Sequence, residues 1–305
     1  MKQRAEVRRP TGDRASGLSL RRSYQLRAWA FAGPGVLWVF AFTIFPLVHT
    51  LYLSLESTGL GGNRFTGLRN YARLWNDYRF WSALRFTLTF VAISVVVTVV
   101  LGAVLALALN RGVRGTRVFR TLSILPMFAA PIALGYLGLT IFYEKGGPIN
   151  NVLAALGLRQ LPWLANARWA LISILAVDVW QWTPFVFLVV LAALQSVPAE
   201  LVEAARLETS SSWAVLSHIT FPLIRGPLGT VVILRIVEAF KVFDIPFTLT
   251  NGGPGLATRS LTYDVYTTAL RNQNFGYAAS IAVVMLVLVM VVAVVFYRLY
   301  GSAYE

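Results

Sequence analysis

The chain has 305 residues, 57% of them hydrophobic and 13% charged, with a formal net charge of +14. Soluble domains carry about 25% charged residues, and a core of this size cannot hide so much apolar side chain from water; an ordinary soluble fold and a disordered chain are both excluded. Zero cysteines exclude a disulfide framework and thiolate metal sites, and a mean hydropathy of +0.64 turns the basic excess from a nucleic-acid signal into an orientation signal for a membrane protein.

Residues 1–27 are polar and hold Lys2, Arg4, Arg8, Arg9, Arg14, Arg21, Arg22 and Arg27. This stretch reads as a basic cytoplasmic tail, too long before its apolar run to be a cleaved signal peptide. Residues 28–300 read as one all-α membrane domain. A spanning helix needs about 20 mostly apolar residues, and six segments qualify: Trp29 to Leu53, Leu84 to Leu109, Val118 to Tyr143, Trp169 to Leu194, Gly226 to Leu249 and Tyr277 to Tyr300. Residues 301–305 form a short cytoplasmic end.

Arg111, Arg114 and Arg117 crowd the short connection between the second and third segments, on the side of the basic tail if six helices alternate. That side is expected to be cytoplasmic, with both termini. The longer connections, near 55–82, 144–168 and 250–276, face out. Trp29, Trp75, Trp81, Trp163 and Trp169 fall near the expected interfaces.

Residues 195–225 do not read as a simple loop. Pro198 suits the first turn of a helix, and Glu200 and Glu203 lie near its positive dipole end. Leu201, Ala204, Ala205 and Leu207 give a narrow apolar face. Hydroxyl residues Thr209 to Ser212 break the run. A second short helix, Trp213 to Ile219, is expected to stop before Pro222. Two short helices joined by a turn make a knob suited to a partner's groove.

The run Glu203-Ala204-Ala205-Arg206-Leu207-Glu208-Thr209, with His218 to Leu223 behind it, resembles the EAA loop of ABC importer permeases. Thr248 to Gly255, which contains Asn251, Gly252, Gly253 and Pro254, resembles the loop after the fifth core helix in carbohydrate-uptake permeases of the maltose-transporter type. Phe65 to Tyr71 and Gly147 to Asn150 are weaker matches in the right order. The resemblance implies an inner-membrane permease in a bacterial cell, paired with a second, similar permease. Glu203, Ala204, Ala205, Glu208, Thr209, Ser210 and Pro222 would couple it to a separate ATPase dimer. A binding protein would deliver solute outside, meeting Asn251, Gly252, Gly253 and Pro254. This chain would bind no cofactor; ATP and Mg would sit on the ATPase. One departure stands out: the family usually has Gly at the position of Thr209. A β-branched residue at positive φ is costly, so the turn is expected to be built differently or the knob to shift.

The chain holds no G-x-x-x-x-G-K-[ST] run, so ATP hydrolysis is expected elsewhere. Its two histidines, His49 and His218, form no zinc motif. Asp178, Glu238 and Asp244 leave open an intramembrane carboxylate pair, as in an enzyme acting on lipid-linked sugars; a permease for amino acids or ions is a further alternative. Charges within spans face a cavity or each other. Arg235, Glu238, Lys241 and Asp244 stand at steps of three, read as a self-neutralising ladder or a polar path. Asp178, Trp180, Gln181 and Trp182 add the aromatic planes and polar groups that suit a sugar. Gly135, Gly138 and Gly102 with Ala106 are read as close helix contacts.

Overall fold

The computed structural model describes residues 29–58, 62–110 and 116–301. The basic tail, Arg111, Arg114 and residues 302–305 lie outside the described residues. The chain divides into two compact units, Met1–Leu53 and Ser54–Glu305.

The first unit holds a helical run, Trp29–Ser54, all but its last residue, which falls in the second unit: α1 (residues 29–39), a π turn (Phe40–Ile44) and α2 (Phe45–Ser54). It is apolar on every side, with Phe31 93% and Leu37 68% exposed. Such a helix has no face for water and suits lipid or another apolar chain. Its π turn ends one residue before Phe45-Pro46. Proline lacks an N–H and collides with the carbonyl one turn back; a wider turn placed just before it relieves both problems.

In the second unit, β1 (Glu56–Ser57) and β2 (Arg64–Phe65) form a small antiparallel hairpin, followed by α3 (Arg69–Trp75). The weak match Phe65 to Tyr71 ties this corner together. Asn70 Nδ2 donates to the carbonyls of Ser54 and Glu56 at 2.9 and 2.8 Å, and the hydroxyls of Tyr71 and Ser54 lie 2.7 Å apart. The frame is α4 (Tyr78–Leu109) packed along α8 (Ala167–Gln195). α4 starts earlier than the expected Leu84 because the Asp77 carboxylate accepts from the Arg79 amide at 2.8 Å and caps it. Asn166 caps α8 in the same way. Gly102 brings the two backbones together: a Cβ there would lie 2.6 Å from Val186 Cβ. The last helix, α14 (Phe275–Gly301), matches the expected sixth span.

Two expected spans are not single helices. The third is α5 (Thr116–Phe128) and α6 (Pro131–Ile141), bent by 100°. Pro131 forces Ala130 into an extended conformation, and a helix cannot run through such a residue. The fifth is α11 (Phe221–Phe240) and α12 (Asp244–Leu249), parted at residues 241–243. A continuous helix would drive the Pro246 ring into the carbonyl of Val242. Among the described residues, four helices are therefore long and apolar enough to cross a bilayer, or five if the bent pair counts as one span.

Between the third and fourth segments, α7 (Pro148–Ala155) surrounds Asn150. Its amide donates to the carbonyls of Glu144 and Leu161 and accepts from the Leu161 amide and Trp163 Nε1, all at 3.0 Å. Gly147-Pro148-Ile149-Asn150 is thus a folding motif for this connection.

Residues 195–225 form α9 (Ala199–Glu208), a three-residue turn, then α10 (Ser212–Val215). The second short helix does not stop before Pro222. A π turn, Leu216–Thr220, carries α10 into α11, again ending one residue before Phe-Pro. The two helices that open on Phe-Pro, α2 and α11, use the same device. Thr209 is extended, with φ −145°, where a β-branched residue is at ease. Its hydroxyl accepts from the Ser211 amide at 3.2 Å. The turn needs no glycine.

Candidate functional site

Asp178, Gln181 and Trp182 stand at i, i+3 and i+4 and so share one face of α8. The end of α11 and the start of α12 face them. Together they line a cavity of about 240 Å³ with Glu238, Lys241 and Asp244. Pro131 and Phe243 add apolar wall. Six of the seven residues expected on a polar path therefore meet. Trp180 does not: one residue off that face, it is half exposed on the other side of α8.

Behind the cavity lies a buried cluster from three helices. Arg235 of α11 forms an ion pair with Asp178, and Ser94 of α4 hydrogen-bonds to both. The Arg235 side chain is fully enclosed. Its Nε and Nη1 hold no partner among the described residues. The guanidinium carbon lies 5.2 Å from the Trp182 ring centre, a cation–π contact that offsets part of that cost.

The expected ladder of charges is not formed. Arg235 turns to Asp178 instead of Glu238. Lys241 Nζ donates to Glu238 Oε1 at 2.6 Å, but this pair is largely exposed. Asp244 follows the helix break, so it no longer lies on the face of Lys241, and it has no ion partner among the described residues. The residues that spacing missed are Ser94 and the pairing of Arg235 with Asp178. The available signal was one arginine and one aspartate, each inside a different apolar segment.

The loop after α12 is a closed unit. Asn251 has φ +50° and Gly252 φ +78°. Tyr263 Oη donates to Asn251 Oδ1 at 2.9 Å, and Thr258 Oγ1 donates to the Gly253 carbonyl at 2.6 Å. Asn251 is exposed, whereas Gly252 is buried under the Tyr263 ring and Gly253 and Pro254 are half-buried. Next to it, in α13 (Leu261–Tyr266), Asp264 pairs with Arg259 at 2.8 Å. Burial pushes the Asp264 carboxyl above the ordinary 3.8, and Arg259 only partly opposes this.

The residues expected to couple to a motor stand on α9, its turn and the start of α11. Glu203, Ala204, Glu208, Ser210 and Pro222 are exposed, and Ala205 and Thr209 half-buried. The expected apolar face is unburied: Leu201 is 46% exposed, Leu207 91%, and nearby Trp213 74%. A cleft of about 980 Å³ lies between this hairpin and the ends of α4 and α8, near Asn110 and Leu194.

Residues 98–303 match the model of the binding-protein-dependent transport system inner membrane component. The chain belongs to that family. It is 32% identical to the lactose transport system permease LacF of Rhizobium radiobacter over 282 residues, covering 90% of this chain and 94% of that protein. It is 34% identical to the trehalose/maltose transport system permease MalF of Thermococcus litoralis, covering 85% and 88%. A bacterial ABC transporter involved in import of the acidic polysaccharide alginate superposes with a TM-score of 0.82. That match covers 95% of this chain and 100% of that one at 20% identity, a likeness of fold. The chain is thus a membrane-embedded permease component of an ABC importer.

Proposed function

We propose that this chain forms half of the translocation path for a sugar or polyol, in a bacterial inner membrane. The cavity at Asp178, Gln181 and Trp182 carries the reading: aromatic plane, amide and carboxylate converge where a hydroxyl-bearing ring would need them. The lactose and trehalose/maltose permeases among its relatives support the same solute class. A second, similar permease would close the other half. Six crossings with both termini inside agree with the basic tail, the bent third segment and the broken fifth counting as one crossing each.

Power would come from a separate ATPase dimer, which holds ATP and Mg. It would grip the α9 hairpin through Glu203, Ala204, Ala205, Glu208, Thr209 and Ser210, with Pro222 starting the rigid helix behind. Unburied Leu207 and Trp213 support this, because an apolar knob left in water calls for a partner. ATP-driven closure would then rock the helices between inward and outward states. A binding protein would meet the outer face near the Asn251 to Pro254 loop, Asn251 being its exposed member.

Uptake of labelled lactose, trehalose and maltose by cells expressing the whole importer tests the solute class. Glu203→Lys tests the coupling: membrane insertion is kept and uptake lost. Normal uptake by that variant refutes the docking of α9.

A further inference from the structure

Asp178 has one oxygen spoken for and one free. Oδ2 takes the bonds of both Ser94 and Arg235. Oδ1 holds no hydrogen bond among the described residues and is not sealed off, and Asp178 lines the cavity. A carboxylate fixed at one oxygen and bare at the other is a preorganised acceptor, and hydrogen bonds to a charged acceptor are the strong ones. The geometry points to Asp178 Oδ1 as the group that accepts a hydroxyl of an uncharged saccharide ring lying against Trp182, with Ser94 and Arg235 as positioning residues. This rests on the sugar reading and adds the charge class of the solute.

The argument for an uncharged ring comes from which cations the cavity offers. Three carboxylates, Asp178, Glu238 and Asp244, face Lys241 at the wall and Arg235 behind it. Arg235 cannot reach a solute: Nη2 is engaged, and Nε and Nη1 are enclosed. Lys241 is tied to Glu238 at 2.6 Å. An acidic sugar would bring its carboxylate beside Asp178 and Asp244 with no cation free to meet it, and like charges at short range repel strongly inside a protein. A neutral ring meets the same carboxylates as acceptors.

The test is quenching of Trp182 fluorescence in the assembled importer in proteoliposomes, without binding protein or ATP, with Trp182→Phe subtracted as background. The probes are lactose, trehalose and maltose, each against its uronic acid counterpart, in which one CH2OH is a carboxylate. At least one neutral sugar is expected to quench saturably and its acid to bind about tenfold or more weakly. Asp178→Asn is expected to weaken the neutral sugar about tenfold or more and to narrow the gap to the acid. Ser94→Ala is expected to weaken it too, and Ser94→Thr, which keeps the hydroxyl, to restore it. Equal affinity for acid and neutral forms in the unaltered protein overturns the proposal, and needs no variant to fold. So does unchanged binding by Asp178→Asn, or no Trp182 response to a sugar that the cells take up. Cells that take up none of the three sugars overturn the sugar reading itself, and this inference with it.

Discussion

Arg235 on α11 reaches Asp178 on α8, fifty-seven positions earlier, and both are sealed from solvent on the side away from the cavity. A pair of this kind is weak evidence for net stability, because desolvation consumes much of the attraction. Its loss by halves is another matter.

Arg235→Met and Asp178→Leu should each destabilise the bundle by about 3–5 kcal/mol, since each strands a buried charge. The double substitution should cost much less than the sum, because neither charge remains. Thermal unfolding of the three variants in detergent checks this; additive losses would show that the two residues act separately.

Lys241→Ala should leave the melting point nearly unchanged. Its pair with Glu238 is more than a third exposed on both sides, and exposed pairs contribute about 0–1 kcal/mol. Uptake is the readout that should respond, because the substitution removes the cation from the cavity wall.

Gly135→Ala should be costly. A Cβ at Gly135 would fall on Thr248 Oγ1 of α12, and overpacking of this kind costs about 1–3 kcal/mol. Gly33→Ala on α1, where a Cβ meets nothing within 4 Å, should be neutral or stabilising. Melting curves of the two variants distinguish packing from helix propensity.

Thr209→Gly should not improve the hairpin. The native φ of −145° needs no glycine, and the substitution adds freedom to the unfolded chain, at a cost of about 0.4–1 kcal/mol. Hydrogen exchange of α9 should quicken modestly. Slower exchange would mean that the turn prefers the left-handed region.

The pH dependence of stability carries a component from Asp264. Its folded pKa is raised, so its protonated form fits the fold better than the charged one. That contribution is full below the unfolded value near 3.8 and is lost as pH rises from there through the folded value. Asp264→Asn, neutral at every pH, should flatten this part of a melting-point titration begun at about pH 4.

Composition and apolar runs made the membrane class and the long helices α4, α8 and α14 legible, because about 20 apolar residues in a row have few other uses. The breaks were less legible. Pro131 and Pro246 each sit inside an apolar run, and hydropathy does not register a missing N–H. Six path residues were readable because polar groups in spans have to converge. Ser94 was not, since a lone hydroxyl in a helix usually bonds its own backbone. Trp180 misled because residue type says nothing of facing; its neighbours at 178, 181 and 182 define the inward side. Arg235 was placed on a ladder along its own helix because i, i+3 spacing sees only one element, while its partner stands on another.

Gly135 and Thr248 join α6 to α12, the short pieces that lie beyond the two helix breaks. Evolution would therefore have to change them in concert: a lineage that gains bulk at 135 must shed it at 248. Added bulk at either position alone would pry apart the second halves of the third and fifth segments, and with them Pro131 and Asp244, which head those pieces at the cavity wall.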